Sequence, residues 1–260
     1  MYYKTEGIVL RETQYRDADK ILTVLTRDYG KITLKARSVR KNTSQLKSAC
    51  QLLSYSEFIY QDYGGYFTVK EATCREMFEE LRSDVEKISL GFYFAQVAEA
   101  LSEEDSPNPS LLSLLLNSLY VLAKKNLPQL LVKTAFEWRI ACLAGYEPDL
   151  SGCAVCGDDA PDRFNVRCGV LQCHGCQSGD LPGLRMPISP GALAALRYIV
   201  YCDEKKLFSF RLGKAALEEL SGISETYLMT QLERSFSTLD LYKSLFHTNL
   251  SIGEHHERND

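Results

Sequence analysis

The sequence predicts an α+β chain of several domains. An N-terminal β-barrel of the OB type comes first, followed by an α-helical domain with an inserted four-cysteine zinc module. Three observations carry this reading. Up to about residue 80, short apolar runs alternate with period two and are separated by turn residues. After Glu76 the apolar spacing changes to three and four, the period of a helix. Later, two Cys-x-x-Cys pairs stand sixteen residues apart. The expected division is 1–80 for the barrel, 81–146 with 187–260 for the helical domain, and 147–186 for the zinc module.

The strands come first in the chain. Lys4 to Leu10, Ile21 to Thr26 and Ile32 to Ala36 read as three of them. Arg27-Asp28-Tyr29-Gly30 is the turn between the second and third, with Gly30 suited to positive φ. Leu52 to Tyr60 and Tyr66 to Ala72 pair around Asp62-Tyr63-Gly64-Gly65. Five short strands, with a long basic connection between the third and fourth, fit a small closed barrel.

The helices follow. Val85, Ile88, Phe92, Ala95, Ala98 and Leu101 form one apolar face. Ser106-Pro107-Asn108-Pro109 breaks the chain. Leu111 to Ala123 is apolar on most sides and reads as a central helix, too short for the ~20 residues that span a bilayer. Pro128 suits the first turn of the next helix, which ends near Gly145. Ser189 is the expected N-cap of a helix through Tyr201. Two further helices are expected, Gly213 to Leu220 and Ser224 to Ser244, and then a loose polar tail from Glu254 to Asp260. His255 and His256 in that tail are expected to face solvent rather than a metal.

Cys153, Cys156, Cys173 and Cys176 carry the zinc reading. Two residues between thiols let both sulfurs meet one ion, and the sixteen between the pairs can fold back to deliver the second pair. Four thiolates close a tetrahedral Zn²⁺ site, so the metal is expected to be single and structural. A disulfide framework fits poorly, because nine cysteines is an odd count and the chain opens directly on a strand pattern. A cytoplasmic protein with reduced thiols is the expectation. His174 could replace a ligand, and Cys168 is spare. Cys50, Cys74, Cys142 and Cys202 read as small core residues.

The formal net charge of −4 by itself argues against nucleic acid, but its distribution reverses that. From Arg27 to Lys47 seven basic residues face one acid, Asp28, a local charge of +6. Such a patch on an OB-type barrel suits a polyanion. Lys20, Lys31, Lys35, Arg37, Arg40, Lys41 and Lys47 are the candidates for phosphate contact. Tyr15, Tyr29 and Tyr63 are candidates for base stacking, with barrel packing as the alternative for each. Nothing in the pattern reads base edges, so binding is expected to be independent of sequence and dependent on salt. An enzyme is not expected: there is no Gly-x-x-x-x-Gly-Lys phosphate loop and no His-x-Glu partner for either cysteine pair.

Several separated fragments carry a resemblance. Phe136-Glu137-Trp138-Arg139 and Leu143-Ala144-Gly145-Tyr146-Glu147-Pro148 lead into Cys153-Ala154-Val155-Cys156-Gly157, Gly169-Val170-Leu171 and Cys173-His174-Gly175-Cys176. Ile188-Ser189-Pro190-Gly191 follows. Near the start stand Gly7-Ile8-Val9-Leu10, Asp19-Lys20-Ile21-Leu22-Thr23, Gly30-Lys31 and Ala36-Arg37 with Arg40-Lys41. In order and spacing these resemble the RecO family of bacterial DNA repair and recombination mediators. Arg16-Asp17 stands where that family tends to have Gly-Glu, and Ser38 where it has glycine. The resemblance implies binding to single-stranded and duplex DNA, annealing of complementary strands, and help in loading RecA onto strands coated with single-strand-binding protein, together with RecR. It also implies a groove for that coating protein's acidic C-terminal tail. Lys133, Arg139, Arg197, Arg234 and Lys243 are the cations beside apolar faces that could rim it. The competing reading is a zinc-containing RNA-binding or transcription-associated module.

Overall fold

The computed structural model describes residues 1–176 and 181–245. The chain forms two compact units, one of Met1–Lys124 with the segment from Phe236 onward, the other of Lys125–Ser235. By compactness, therefore, the chain parts at 124 and 235, whereas the expectation placed boundaries at 80, 146 and 186.

The first unit is built on a closed five-stranded barrel, ordered β1-β2-β3-β5-β4. Its strands are β1 (Tyr2–Tyr15), β2 (Asp19–Thr26), β3 (Lys31–Ala36), β4 (Tyr55–Tyr63) and β5 (Tyr66–Glu76). The strand β1 is twice the expected length because it serves two neighbours. Tyr2 to Ile8 pairs with β4, and Gly7 to Tyr15 pairs with β2 across an irregularity between Val9 and Arg11. Such a bulge bends a strand and lets the sheet close. The strands β3 and β5 meet in parallel over only Leu34–Phe67 and Lys35–Thr68. The core holds Val9, Leu22, Val24, Ile32, Leu34, Phe58, Tyr60 and Val69. The basic connection after β3 is not a free loop, since Val39 and Cys50 are buried in that same core. Leu52 and Leu53, expected to open the fourth strand, lie in a turn where Leu53 has φ +65° and its N–H donates to Val9 O.

Three helices continue this unit: α1 (Glu79–Arg82), α2 (Val85–Leu101) and α3 (Pro109–Lys124). Asp84 caps α2 by accepting from the N–H groups of Glu86 and Lys87. The expected apolar face of α2 needs correction. Val85 is 60% exposed, whereas Leu90, Tyr93, Phe94 and Val97 are fully buried. The helix packs against β1, α1 and α3, and its buried side is a wide one that also takes in Ala95 and Ala98 of the expected face. Gly30, at φ +65°, ends the β2–β3 turn against the segment after α2. A Cβ there would stand 2.6 Å from the carbonyl oxygens of Glu103 and Ser106. Residues 237–245 are helical, and Phe236 packs edge-on to Tyr93.

The second unit contains α4 (Gln129–Leu143), α5 (Pro190–Tyr201) and α6 (Lys214–Leu232), with a four-stranded sheet ordered β6-β8-β7-β9. The strands are β6 (Asp149–Cys153), β7 (Arg163–Asn165), β8 (Val170–Gln172) and β9 (Arg185–Pro187). After α4, the N–H groups of Gly145 and Tyr146 donate to Cys142 O and Ala141 O, a Schellman closure. Ser189 caps α5 as expected. The two helices expected at 213–220 and 224–244 are instead one helix through Gly222, ending where Glu233 takes φ +50°. A buried aromatic cluster joins sheet to helices: Trp138 of α4 lies 5.3 Å from Phe164 of β7 and 5.1 Å from Tyr227 of α6. Among the described residues no helix is long and apolar enough to cross a membrane. His255, His256 and the tail lie outside the described residues.

Candidate nucleic-acid interface and metal centre

The barrel carries a groove of about 740 Å³ on the face of β2 and β3. Two hairpin ends form its walls. Tyr15 and Arg16 come from the β1–β2 turn. Tyr63, Gly65 and Tyr66 come from the β4–β5 turn, where Gly64 and Gly65 both take positive φ in a two-residue loop. Ile21 of β2, Lys31, Ile32, Thr33 and Lys35 of β3, and Phe67 and Thr68 of β5 also line the groove. Strands 2 and 3 with these two loops are the oligonucleotide-binding face of OB barrels in general.

Of the seven candidate cations, the groove brings together Lys31, Lys35 and Arg37. Lys35 Nζ sits 4.7 Å from the centre of the Tyr15 ring and 3.6 Å from Asp19. The Arg37 guanidinium lies 5.6 Å from the centre of the Tyr63 ring. Lys31 Nζ donates to Glu99 O at 3.2 Å. The other four do not line the groove. Lys20 is half-buried in an ion pair with Glu12 at 2.8 Å, and Arg40 donates to Asp17 O at 3.1 Å. Lys41 and Lys47 are exposed on the connection after β3. Tyr15 and Tyr63 stand in the groove, but Tyr29 packs edge-on to Tyr3 beside the barrel core.

Sequence reasoning missed Arg16, Tyr66 and Phe67 as groove residues. The signal for Tyr66 was its place directly across the Gly64-Gly65 turn from Tyr63. Arg16 and Ser38, which replace the glycines usual in the resembled family, both keep φ +53°, so the backbone path survives the side chain. One end of the groove is acidic, lined by Glu104 and Asp105.

The second centre is the cysteine cluster. Cys153 ends β6 and Cys156 lies in the turn after it, and the turn after β8 carries Cys173 and Cys176. The parallel pairing of β6 with β8 brings the two turns together. The four sulfurs lie within 4.8 Å of one another, with Cys153–Cys176 and Cys156–Cys173 both at 3.8 Å. A tetrahedral ion with bonds of ~2.3 Å has sulfur–sulfur edges of about 3.8 Å, so the residues fit such an ion. Cys173 N–H donates to Cys153 Sγ at 3.3 Å, a contact that favours a thiolate. Burial opposes ionisation of Cys153, but N–H groups of Cys156, Val155 and Cys173 outweigh it and bring the thiol down to about 6. Cys173 is pushed up by desolvation and by its thiol neighbours Cys153 and Cys156. Cys176 rises to about 11 through its hydrogen bond with Cys156 and through desolvation. Cys153 ionises readily whereas Cys173 and Cys176 resist, a resistance that a bound cation removes.

His174 stands outside the cluster, its Nδ1 facing the Arg163 guanidinium at 2.8 Å. Cys168 donates instead to Pro182 O. Among the suggested rim cations, Lys133 is 2% exposed and held between Glu137 and Glu225, so it cannot serve a surface. Arg139 donates to Cys202 O at 2.7 Å and Arg197 to Leu150 O at 3.1 Å, which makes both structural links.

Comparison with known proteins bears on both units. The family described as Recombination protein O N terminal matches residues 1–78, and Recombination protein O C terminal matches residues 82–240. A protein of Acetivibrio thermocellus named DNA repair protein RecO is 35% identical over 94% of this chain and 97% of its own. Proteins of the same name from Alkaliphilus metalliredigens and Desulforudis audaxviator are 29% and 32% identical, each over 94% of this chain and 100% and 97% of their own. With both halves matched and relatives spanning nearly the full length, the chain belongs to the RecO family of DNA repair proteins.

Proposed function

We propose that this chain is a non-enzymatic recombination mediator. It binds single-stranded and duplex DNA without reading sequence, anneals complementary strands, and helps load RecA onto strands coated with single-strand-binding protein, together with RecR. The observation that carries the DNA-binding reading is the groove: Arg16, Lys31, Lys35 and Arg37 stand with Tyr15, Tyr63 and Tyr66 on the binding face of an OB-type barrel. Cations neutralise phosphates and release their counterions, while rings offer faces to any base. Annealing asks no more than this. Two polyanions must be held together with their charge screened and their bases accessible, and no group need form or break a covalent bond.

The four cysteines hold one structural Zn²⁺ in this reading, supported by the sulfur spacing and the all-thiolate donor set. When bound, the ion cross-links the turns after β6 and β8 and has no open position for chemistry. RecR, the acidic tail of single-strand-binding protein and RecA are the partners the family resemblance supports. The cytoplasm is the compartment that suits reduced thiols.

The test is the pairing rate of two complementary labelled single strands, without ATP, at low and moderate salt. Acceleration at low salt that fades as salt rises is expected. A rate equal to the uncatalysed one at both salts would remove the annealing role.

A further inference from the structure

We infer that Tyr15 and Tyr63 make the groove selective for unpaired bases, and that the cations resting on those rings are held ready for the phosphates. The inference rests on the groove being the DNA site. Both tyrosines are exposed, Tyr15 by 39% and Tyr63 by 64%, and both sit at hairpin ends on the groove wall. Neither ring is bare. Tyr15 has Lys35 Nζ at 4.7 Å and the Arg16 guanidinium at 5.2 Å from its centre, and Tyr63 has Arg37 at 5.6 Å. These separations lie within the range of a cation–π contact.

A ring face holds one occupant at a time. At exposed sites a cation–π contact corresponds to roughly 2- to 5-fold in an equilibrium constant, whereas base–aromatic stacking is worth about 5- to 150-fold in affinity. An unpaired base therefore displaces the cation from the ring. The displaced Arg16 or Arg37 is still tethered within the groove, where the strand that brought the base also brings a phosphate. Lys35 has the Asp19 carboxylate at 3.6 Å and shares itself between that group and the phosphate. Stacking and phosphate contact are thus coupled in a single strand. A duplex keeps its bases paired and stacked on one another, so it offers phosphates but leaves the cations where they are. The rings, not the cations, set the preference between the two forms.

The experiment uses the full chain and measures binding of a single strand, a duplex and an abasic strand, all of one length, by fluorescence anisotropy at one salt concentration. Tyr15→Leu and Tyr63→Leu should each weaken single-strand binding about 10-fold, with duplex and abasic binding changed less than about 2-fold. Tyr63→Phe keeps the ring and should stay near wild type. Equal loss on single strand and duplex, no loss on the single strand, or Tyr63→Phe behaving like Tyr63→Leu would each overturn the inference. Lys35→Ala with Arg37→Ala separates this from the underlying reading. If that pair weakens both DNA forms while the tyrosine variants leave their ratio unchanged, only the stacking inference fails. If neither form responds to the cation pair, the groove is not the DNA site and both fail.

Discussion

Cys156→Ser is a sensitive probe of the metal centre, because Cys156 is the exposed member of the four cysteines. As an ordinary surface substitution it should change stability by no more than about 0.5 kcal/mol. As the loss of one of four thiolates it should cost far more. Structural zinc contributes about 10–16 kcal/mol of binding free energy in small finger domains, which spread over four ligands is about 3 kcal/mol each. The unit carries its own reporter. Trp138 is the only tryptophan of the chain and is fully buried against Phe164, which stands on β7 beside the strand leading to Cys173. Urea unfolding followed by tryptophan emission therefore reads this unit. With a urea slope of about 2 kcal/mol per molar, the midpoint should fall by about 1.5 M. A chelator should move the wild type in the same direction, and metal analysis should show zinc falling from about one per chain. A variant within 0.5 kcal/mol of wild type, with a wild type indifferent to chelator, would refute the account of this site.

Two further outcomes follow from buried or acidic charge. Lys133 Nζ lies 2.9 Å from Glu137 and 3.0 Å from Glu225, with Glu137 fully buried and also accepting from Ser224 Oγ at 2.6 Å. Lys133→Met removes the ammonium neighbour of a buried carboxyl that desolvation already pushes up, and should cost about 3–5 kcal/mol in thermal unfolding. Lys133→Met with Glu137→Leu should recover most of that loss, and equal destabilisation of single and double variants would sink the argument. Glu104→Gln with Asp105→Asn should tighten single-strand binding several-fold at low salt and by much less at high salt. No change at low salt would mean the strand does not pass the acidic end of the groove.

The parts of this molecule that were legible in the sequence are those specified locally. Ile32, Leu34 and Ala36 alternate because only one side of β3 faces the barrel core. The cysteine pairs are legible because each lies within one turn, and the chain needs only to bring two turns together. The face of α2 was only partly legible: Ala95 and Ala98 are buried as expected, but three elements pack on the helix, so its buried side widens to take in Leu90, Tyr93, Phe94 and Val97. The join at Gly222 was missed because one glycine weakens a helix by only ~1 kcal/mol, which burial of Leu220, Ile223 and Leu228 on the same helix outweighs. Lys133 looked like a surface cation because one of its two acids, Glu225, is distant in sequence. The groove was half legible. Three of its four cations, Lys31, Lys35 and Arg37, fall in one basic segment, but charge alone could not separate Lys35 and Arg37, which line it, from Lys20 and Arg40, which are bonded elsewhere, and gave no sign of Arg16.

The most direct measurement is the salt dependence of single-strand binding, taken as log Kd against log salt concentration. It should be made for the wild type, for Lys35→Ala with Arg37→Ala, and for Arg40→Ala with Lys41→Ala. Each phosphate contact on a single strand contributes about 0.7 to the slope, so the groove pair should flatten it by about 1.4. The pair outside the groove should leave the slope near that of the wild type. A slope unchanged by the groove pair and flattened by the outer pair would place the DNA on the connection after β3 and contradict the account.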